Sequence, residues 1–498
     1  MKVKKLFPFI ILLALLTSLT AFPASAEDAP EGKYELTATF ITNGKLITHR
    51  WYDDLDELWN NIGPVAASDR TTEIKLHANW DIYEEKTLSI EHCNVYIDLN
   101  GHSIIRHTDN DKQVRNGGVF VLDLGARLTV LDSDPASAGY DGIRGGVITG
   151  GASTNSGGAF TVKDKSELTI TGGTIYRCTT NEHGGAVMIT GGSKEPKFEM
   201  TGGRIYACQS IGAFFNCHGG AVYADKANVS LSNCIIDSCY SEDNGGAIYL
   251  NNGSMRIDNV RFTGNHCLDF GGAVFVSGGS LRVFRSRFST NEAKRDGGAV
   301  YVDSNNGAQF RDCVFNKNKS YGSGGAIYVN GDRTFLIDTD VIANSAAGYG
   351  GGVFVDADYG SCYIGVKGLV RIYNNSGKNH RDNLTLSDGI AVSAYLTSGG
   401  LYEGSKIGLS STGQNVKYAD EISRYQLETL ECFFSDTNGS IKIYNSMEYE
   451  REAPMLASVF SGGGYIWLAA GLSLSAVCGA AAYIIIIKNK KAKEEKRG

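Results

Sequence analysis

The sequence predicts an all-β solenoid, a rod of stacked coils, and three observations carry that expectation. Gly-Gly pairs begin at Gly219, Gly245, Gly271, Gly297, Gly324 and Gly350, at steps of 26, 26, 26, 27 and 26 residues. A second column keeps fixed phase with them: Cys178, Cys208, Cys239, Asn265, Asn291, Asn318, Asn344 and Asn375, each three positions after an apolar residue. Within a unit, "SLRVFRSRF" and "GGAVYVD" alternate apolar and polar with the period of two that belongs to a strand, not the 3.6 of a helix. A 26-residue unit of two or three strands leaves no room for an amphipathic helix, so each unit is read as one coil lying on the next. At a strand spacing of about 4.8 Å, roughly ten such coils make a rod on the order of 50 Å long.

The chain opens on "MKVKKLFPFIILLALLTSLTAFPASA", with Lys2, Lys4 and Lys5, an apolar run and the small residues Ala24, Ser25 and Ala26. This is the pattern of a secretory signal peptide over residues 1–26, with Glu27 as the first mature residue. Residues 27–100 read as an N-terminal cap and first strands. Within them Asp53 to Ala66 places Leu55, Leu58, Trp59 and Ile62 at helical spacing, a helix suited to cover the open end of a solenoid. Residues 101–384 hold the repeats, with weaker Gly-Gly copies at Gly157 and Gly184. Residues 385–455 keep strand alternation and lose the metre, and 456–464 are a linker.

Tyr465 to Ile487 is a stretch of 23 residues without a charge, about 35 Å long as a helix against a hydrocarbon core of roughly 30 Å. The tail at 488–498 carries six Lys or Arg and two Glu, which places it in the cytoplasm and the rest outside, N-terminus out. The expected partners follow: a membrane, through one C-terminal helix, and a host or bacterial surface glycan or protein. The formal charge of −7 becomes −14 once the +3 of the signal and the +4 of the tail are removed. Nucleic acid is excluded as a partner and anionic polymers are expected to be repelled.

Within the coils, Val222, Ile248, Val274, Val300, Ile327 and Val353 share one strand face and are uniformly aliphatic, so that face is assigned to the interior. Their neighbours Tyr223, Tyr249, Phe275, Tyr301, Tyr328 and Phe354 then point outward in register as the candidate binding column. Two uses are open to them: a platform on which sugar rings or a protein surface lie, or mutual stacking that only stabilises the coil edges. With the faces inverted they would be core. Asn265, Asn291, Asn318, Asn344 and Asn375 are expected to form a structural ladder, each amide bonding to its copies above and below and satisfying a buried turn. Gly-Gly supplies the corner that side chains would block.

The pairing of "GGA[IV]" with "FxxN" over roughly Asn116 to Asn375 resembles the repeat of the chlamydial polymorphic membrane proteins. More widely it is similar to the right-handed parallel β-helix proteins of the pectate-lyase-like class. The resemblance implies a right-handed, single-stranded parallel β-helix and a surface adhesin. It departs at the C-terminus, where the chlamydial proteins end in an outer-membrane barrel and this chain ends in one uncharged segment and a basic tail. The segment after the repeats resembles the compact β cap that closes such proteins.

Because the same class includes polysaccharide lyases and glycoside hydrolases, an enzyme is the alternative reading, and a passive envelope spacer is another. Asp237, Asp258, Asp296, Asp303, Asp312, Asp338, Asp340 and Asp356 are scattered among columns, and the Asn-Thr-Asp, Gly-His-Gly and Arg-Ile-Lys signatures of polygalacturonases are absent. Arg282, Arg285, Arg287 and Arg295 gather near one coil. Cys178, Cys208 and Cys239 with Cys217, His183 and His218 could be imagined around zinc, but no CxxC occurs and the spacing of about 30 is what the repeat alone produces. Buried thiols, or a disulfide between coils, are the simpler readings. No catalytic residue, metal or cofactor is assigned.

Overall fold

The computed structural model describes residues 117–387 apart from 213–216, 305, 332, 357–361 and 379–380. On either side it describes shorter runs: 36–42, 45–52, 58, 70–83, 87–108, 114–115, 391–393, 401–412, 415–418, 432–436, 448–450, 466–469 and 484–487. The expected signal peptide, linker and basic tail lie outside the described residues.

The repeat folds as a parallel β-solenoid of about 11 turns. One coil shows the plan: Val274–Ser277 lies on a first face, Ser280–Phe284 on a second, Arg287–Ser289 on a third, and Glu292–Ala293 forms a two-residue fourth rung. Each strand pairs parallel and in register with its equivalents one coil before and after. In two coils the first and second faces run together as single strands, Val222–Ser232 and Ile248–Asp258. The fourth rungs make a separate eight-stranded ladder from Ala152–Ser153 to Ser345–Ala346.

The chain turns between faces at single residues. Asn233, Asn259, Arg285, Asp312 and Asp338 stand at φ 46–56° between the second and third faces, the left-handed conformation that rotates the chain in one step. The Gly-Gly corner demands more. Gly219, Gly245, Gly271, Gly297 and Gly324 lie at φ 67–70°. A Cβ on the second glycine, at Gly220, Gly246, Gly272, Gly298 or Gly325, would stand 2.1–2.3 Å from the carbonyl oxygen of the equivalent glycine one coil on. The first glycine is therefore required by its backbone angle and the second by the closeness of the next coil.

Val222, Ile248, Val274, Val300, Ile327 and Val353 are fully buried, on the interior face the alternation assigns them to. Phe262, Phe288 and Phe315 stack inside at 4.7 and 4.6 Å between centroids, burying about 1.5–3 kcal/mol of transfer free energy apiece.

The asparagines lie in the core and form a directional chain. Asn265 Nδ2 donates to Asn291 Oδ1 at 3.1 Å, Asn291 to Asn318 at 2.9 Å, Asn318 to Asn344 at 2.9 Å, and Asn344 to Asn375 at 3.0 Å. The backbone N–H of each donates to the same acceptor, and each Nδ2 also reaches a carbonyl of the preceding coil, such as Phe262 O from Asn291. Two residues continue the ladder beyond Asn375: Asn383, and Asp436, whose carboxylate accepts both the N–H and the Nδ2 of Asn383, at 2.7 and 2.6 Å. Upstream, Cys178, Cys208 and Cys239 fill the slot as buried free thiols, their Sγ atoms 3.8–4.0 Å from a carbonyl of the previous coil.

The ends differ from the helix-capped rod expected. Leu36–Thr42 pairs antiparallel with both Lys45–Tyr52 and Arg70–Leu76, which joins the first parallel stack, so antiparallel strands cover that edge. The helix expected at 53–66 lies outside the described residues except for Leu58, which is buried in the core. At the other end Phe433–Ser435 pairs parallel with Ile407–Leu409, and Glu448–Glu450 runs antiparallel to Asn415–Lys417. Among the described residues no helix is long and apolar enough to cross a membrane. Of 465–487, only Ile466–Ala469 and Ile484–Ile487 are described, and they pair as antiparallel strands instead of continuing one helix. The β-branched run Ile484–Ile487 favours that extended backbone.

Replacing Asn318 by Ala removes the acceptor of Asn291 and the donor to Asn344 and Phe288 O together. The expected outcome in urea unfolding is a loss of about 2–3 kcal/mol, against less than about 0.5 kcal/mol for Asn316→Ala on the adjoining outer position. Equal losses would show that the ladder contributes nothing of its own.

Candidate functional site

The outward aromatics of the first face form one column. Tyr223, Tyr249, Phe275, Tyr301, Tyr328 and Phe354 follow one another at 4.7–5.4 Å between ring centroids, and all but the last pair lie within 14° of parallel. Register dictates this, since a rung spacing near 4.8 Å is also the offset-stacking distance of two rings. Of the two uses open to these rings, mutual stacking is the one the geometry displays. Each ring spends its faces on its neighbours, so a ligand meets ring edges and hydroxyls.

A second column narrows access further. On three coils the residue before Gly-Gly folds over the rings: His183 stacks on Tyr223 at 4.2 Å, His218 on Tyr249 at 4.3 Å, and Phe270 lies 4.9 Å from Tyr301. Phe275, Tyr328 and Phe354 are left only 7, 8 and 6 % exposed. On the other flank run Asp225, Asn251, Ser277, Asp303, Asn330 and Asp356. The phenols of Tyr223, Tyr249 and Tyr301 bond one coil along to Asn251, Ser277 and Asn330, and that of Tyr328 donates to Asp356. Burial pushes the Tyr223 phenol up to about 12 and those of Tyr249, Tyr301 and Tyr328 in the same direction. All four therefore meet a ligand as neutral hydroxyls at neutral pH.

Where the strip borders the Gly-Gly loops, charged groups converge. Asp269 and Asp243 are hydrogen-bonded to each other through their side chains, and Arg295 Nε stands 3.0 Å from Asp269 Oδ1. Burial, then the bond to Asp243, raises the Asp269 carboxyl, with Arg295 opposing the shift. His218 Nδ1 is 4.0 Å from Asp243, and His183 lies 5.2 Å from His218, ring on ring. Carboxyls bonded to one another stand closer than the roughly 5 Å or more that two-carboxylate glycoside hydrolysis requires. What the corner offers is the raised Asp269 carboxyl beside a guanidinium.

The structure separates groups that the sequence placed together. Arg295 belongs to this corner, whereas Arg282, Arg285 and Arg287 lie on the second and third faces and the bend between them. Cys178, Cys208 and Cys239 point into the core and the histidines out of it, so no zinc shell forms from them. Among the described residues no group of three or more His, Cys, Asp or Glu side chains is arranged to hold a metal. Asp243 and Asp269, and the role of His183 and His218 as a roof, were missed in the sequence. The available signal was the two positions before Gly-Gly, which change from coil to coil (Cys217-His218, Asp243-Asn244, Asp269-Phe270, Arg295-Asp296, Gly322-Ser323, Gly348-Tyr349) ahead of a corner that does not.

Residues 205–376 match the family model described as a right handed beta helix region. Together with the parallel solenoid this makes the class of protein plain: the chain carries a right-handed β-helix. Comparison with curated proteins and with solved structures finds no match. The likeness to the chlamydial repeats rests on the motif alone.

The stacked histidines give the strip a pH signature. Burial lowers both, each to about 4, with the neighbouring imidazole adding to the effect at His183 and Asp269 opposing it at His218. The unfolded chain, with histidines near 6.5, takes up protons that the folded chain refuses. The contribution of the neutral rings is therefore complete above about pH 6.5 and lost as pH falls toward 4. A His183→Phe, His218→Phe double variant, which keeps the stacking, should lose up to about 1.4 kcal/mol per pH unit per proton less than the parent in that window. Parallel stability curves would contradict the burial argument.

Proposed function

We propose that the chain is an extracytoplasmic β-helix, held to a membrane by the uncharged segment 465–487, that binds a surface ligand along the outer strip of its first face. The observation that carries this reading is the column of Tyr223, Tyr249, Tyr301 and Tyr328 hydroxyls, interrupted once by Phe275, with Asp225, Asn251, Asp303 and Asn330 beside them. Such a strip recognises by hydrogen bonding at ring edges, which suits the hydroxyls of a glycan or the backbone of an extended peptide. Its acidic flank favours neutral or cationic ligands.

The test is a printed glycan array and a surface-protein array probed with the full chain beside a Tyr249→Phe, Tyr301→Phe variant. Phe retains the stack and removes the hydroxyls, avoiding the packing defect that Ala would make at half-buried positions. Binding by the parent that weakens about tenfold or more in the variant supports the strip. Unchanged binding removes it.

The raised carboxyl of Asp269 beside Arg295 favours a second reading, general acid–base chemistry on a bound glycan. On that reading the parent releases reducing ends from array-positive glycans, and Asp269→Asn lowers the rate at least about a hundredfold while binding persists. Absence of release by the parent sinks it.

A further inference from the structure

The second and third faces carry charge opposite to that of the first. Across the coils from Ile248 to Ser320 their outward and bend positions hold Arg256, Arg261, Arg282, Arg285, Arg287, Arg311 and Lys317, all exposed, against Asp258 and Asp312. Register sets Arg256 beside Arg282 and Arg261 beside Arg287 on neighbouring rungs, about 4.8 Å apart. Like charges so placed repel. Asp258 is shared by Arg256 at 3.3 Å and Arg285 at 2.7 Å, and among the described residues Arg261, Arg282, Arg287 and Arg311 have no acid paired with them. The chain as a whole is acidic, yet this surface holds seven cations against two acids and is a net cationic patch.

A matching anionic surface exists on the same rod. The first face and its loops hold Asp225, Asp269, Asp296, Asp303 and Asp356, with Lys226 and Arg295 as the cations beside them. Asp225, Asp303 and Asp356 stand at one strand position, with Asn251, Ser277 and Asn330 on the coils between them.

We propose that a second copy of this chain docks its acidic first face on the arginine patch of the second and third faces. Strip and patch are different surfaces of one molecule, so the contact is heterologous and leaves a free strip at one side and a free patch at the other. The assembly is a lateral row of rods that can extend. Complementary charge brings several side chains of the two surfaces together at once. Individual exposed pairs contribute only about 0.2–1 kcal/mol, so the row depends on the number of rungs matched and weakens as salt rises.

The test is sedimentation velocity of the full chain in detergent at about 50 mM and about 500 mM salt. Self-association is expected at low salt and its loss, by tenfold or more in the dissociation constant, at high salt. Arg282→Glu with Arg287→Glu should give a monomer, as should Asp225→Lys with Asp303→Lys. An equimolar mixture of the two variants should restore association, since the intact strip of one meets the intact patch of the other and the exchanged charges also attract, a result that misfolding of either would not produce. A parent that stays monomeric at low salt overturns the proposal, as does association that neither pair of substitutions alters. Capture of dextran sulfate through the arginines without self-association also overturns it and assigns the patch to a polyanion.

Discussion

Every coil lies directly on the one before it, one hydrogen-bonded rung away, and the rest of the structure depends on that constraint. Parallel in-register stacking removes the freedom of a residue to choose its neighbour, because each outward or inward position faces its own equivalents above and below. An interior amide can then be satisfied only by a group in the same slot. Asparagine meets the condition, since it accepts from one coil and donates to the next, as Asn318 does between Asn291 and Asn344. The same closeness forbids a side chain at the second glycine of each corner, where the next coil's carbonyl occupies the space of the Cβ.

Outside the core the constraint acts on chemistry. Aromatic residues repeated at one position stack and consume their faces, which turns a would-be platform into a ridge of edges and hydroxyls. Charges repeated at one position concentrate without cancelling, so a rod of net negative charge supports a cationic patch around Arg282 and Arg287 as well as an anionic strip around Asp225 and Asp303. Histidines repeated before Gly184 and Gly219 stack in one partly buried roof, and burial lowers the pKa of both imidazoles.

What repeats was legible in the sequence: the Gly-Gly metre, the aliphatic inner face and the asparagine slot all announce themselves by period. What does not repeat was not legible. The bends between faces tolerate Arg285, Lys317 and Ala343 in the left-handed conformation, because coils fixed above and below over-determine the backbone and propensity is overridden. The hairpin Leu36–Tyr52 shows no period and is set by pairing with Arg70–Leu76. The carboxyl pair of Asp243 and Asp269 comes from loops whose approach depends on coil geometry, although 26 residues separate them in step with the metre. Net charge gave the sign of the whole molecule and concealed the division between faces.

The ladder's ends follow from its direction. Each rung passes its hydrogen bonds toward the C-terminus, so the chain of amides needs a group at that end that accepts without having to donate onward. A carboxylate does this, and Asp436 returns from 53 residues beyond Asn383 to accept two bonds from it. At the opposite end the last amide must accept and has only a backbone N–H to receive, that of Cys239. Nothing in the slot then needs to donate strongly, and a small thiol suffices. That Cys178, Cys208 and Cys239 precede the asparagines, and that an aspartate follows them, are thus consequences of one polarity of hydrogen bonding.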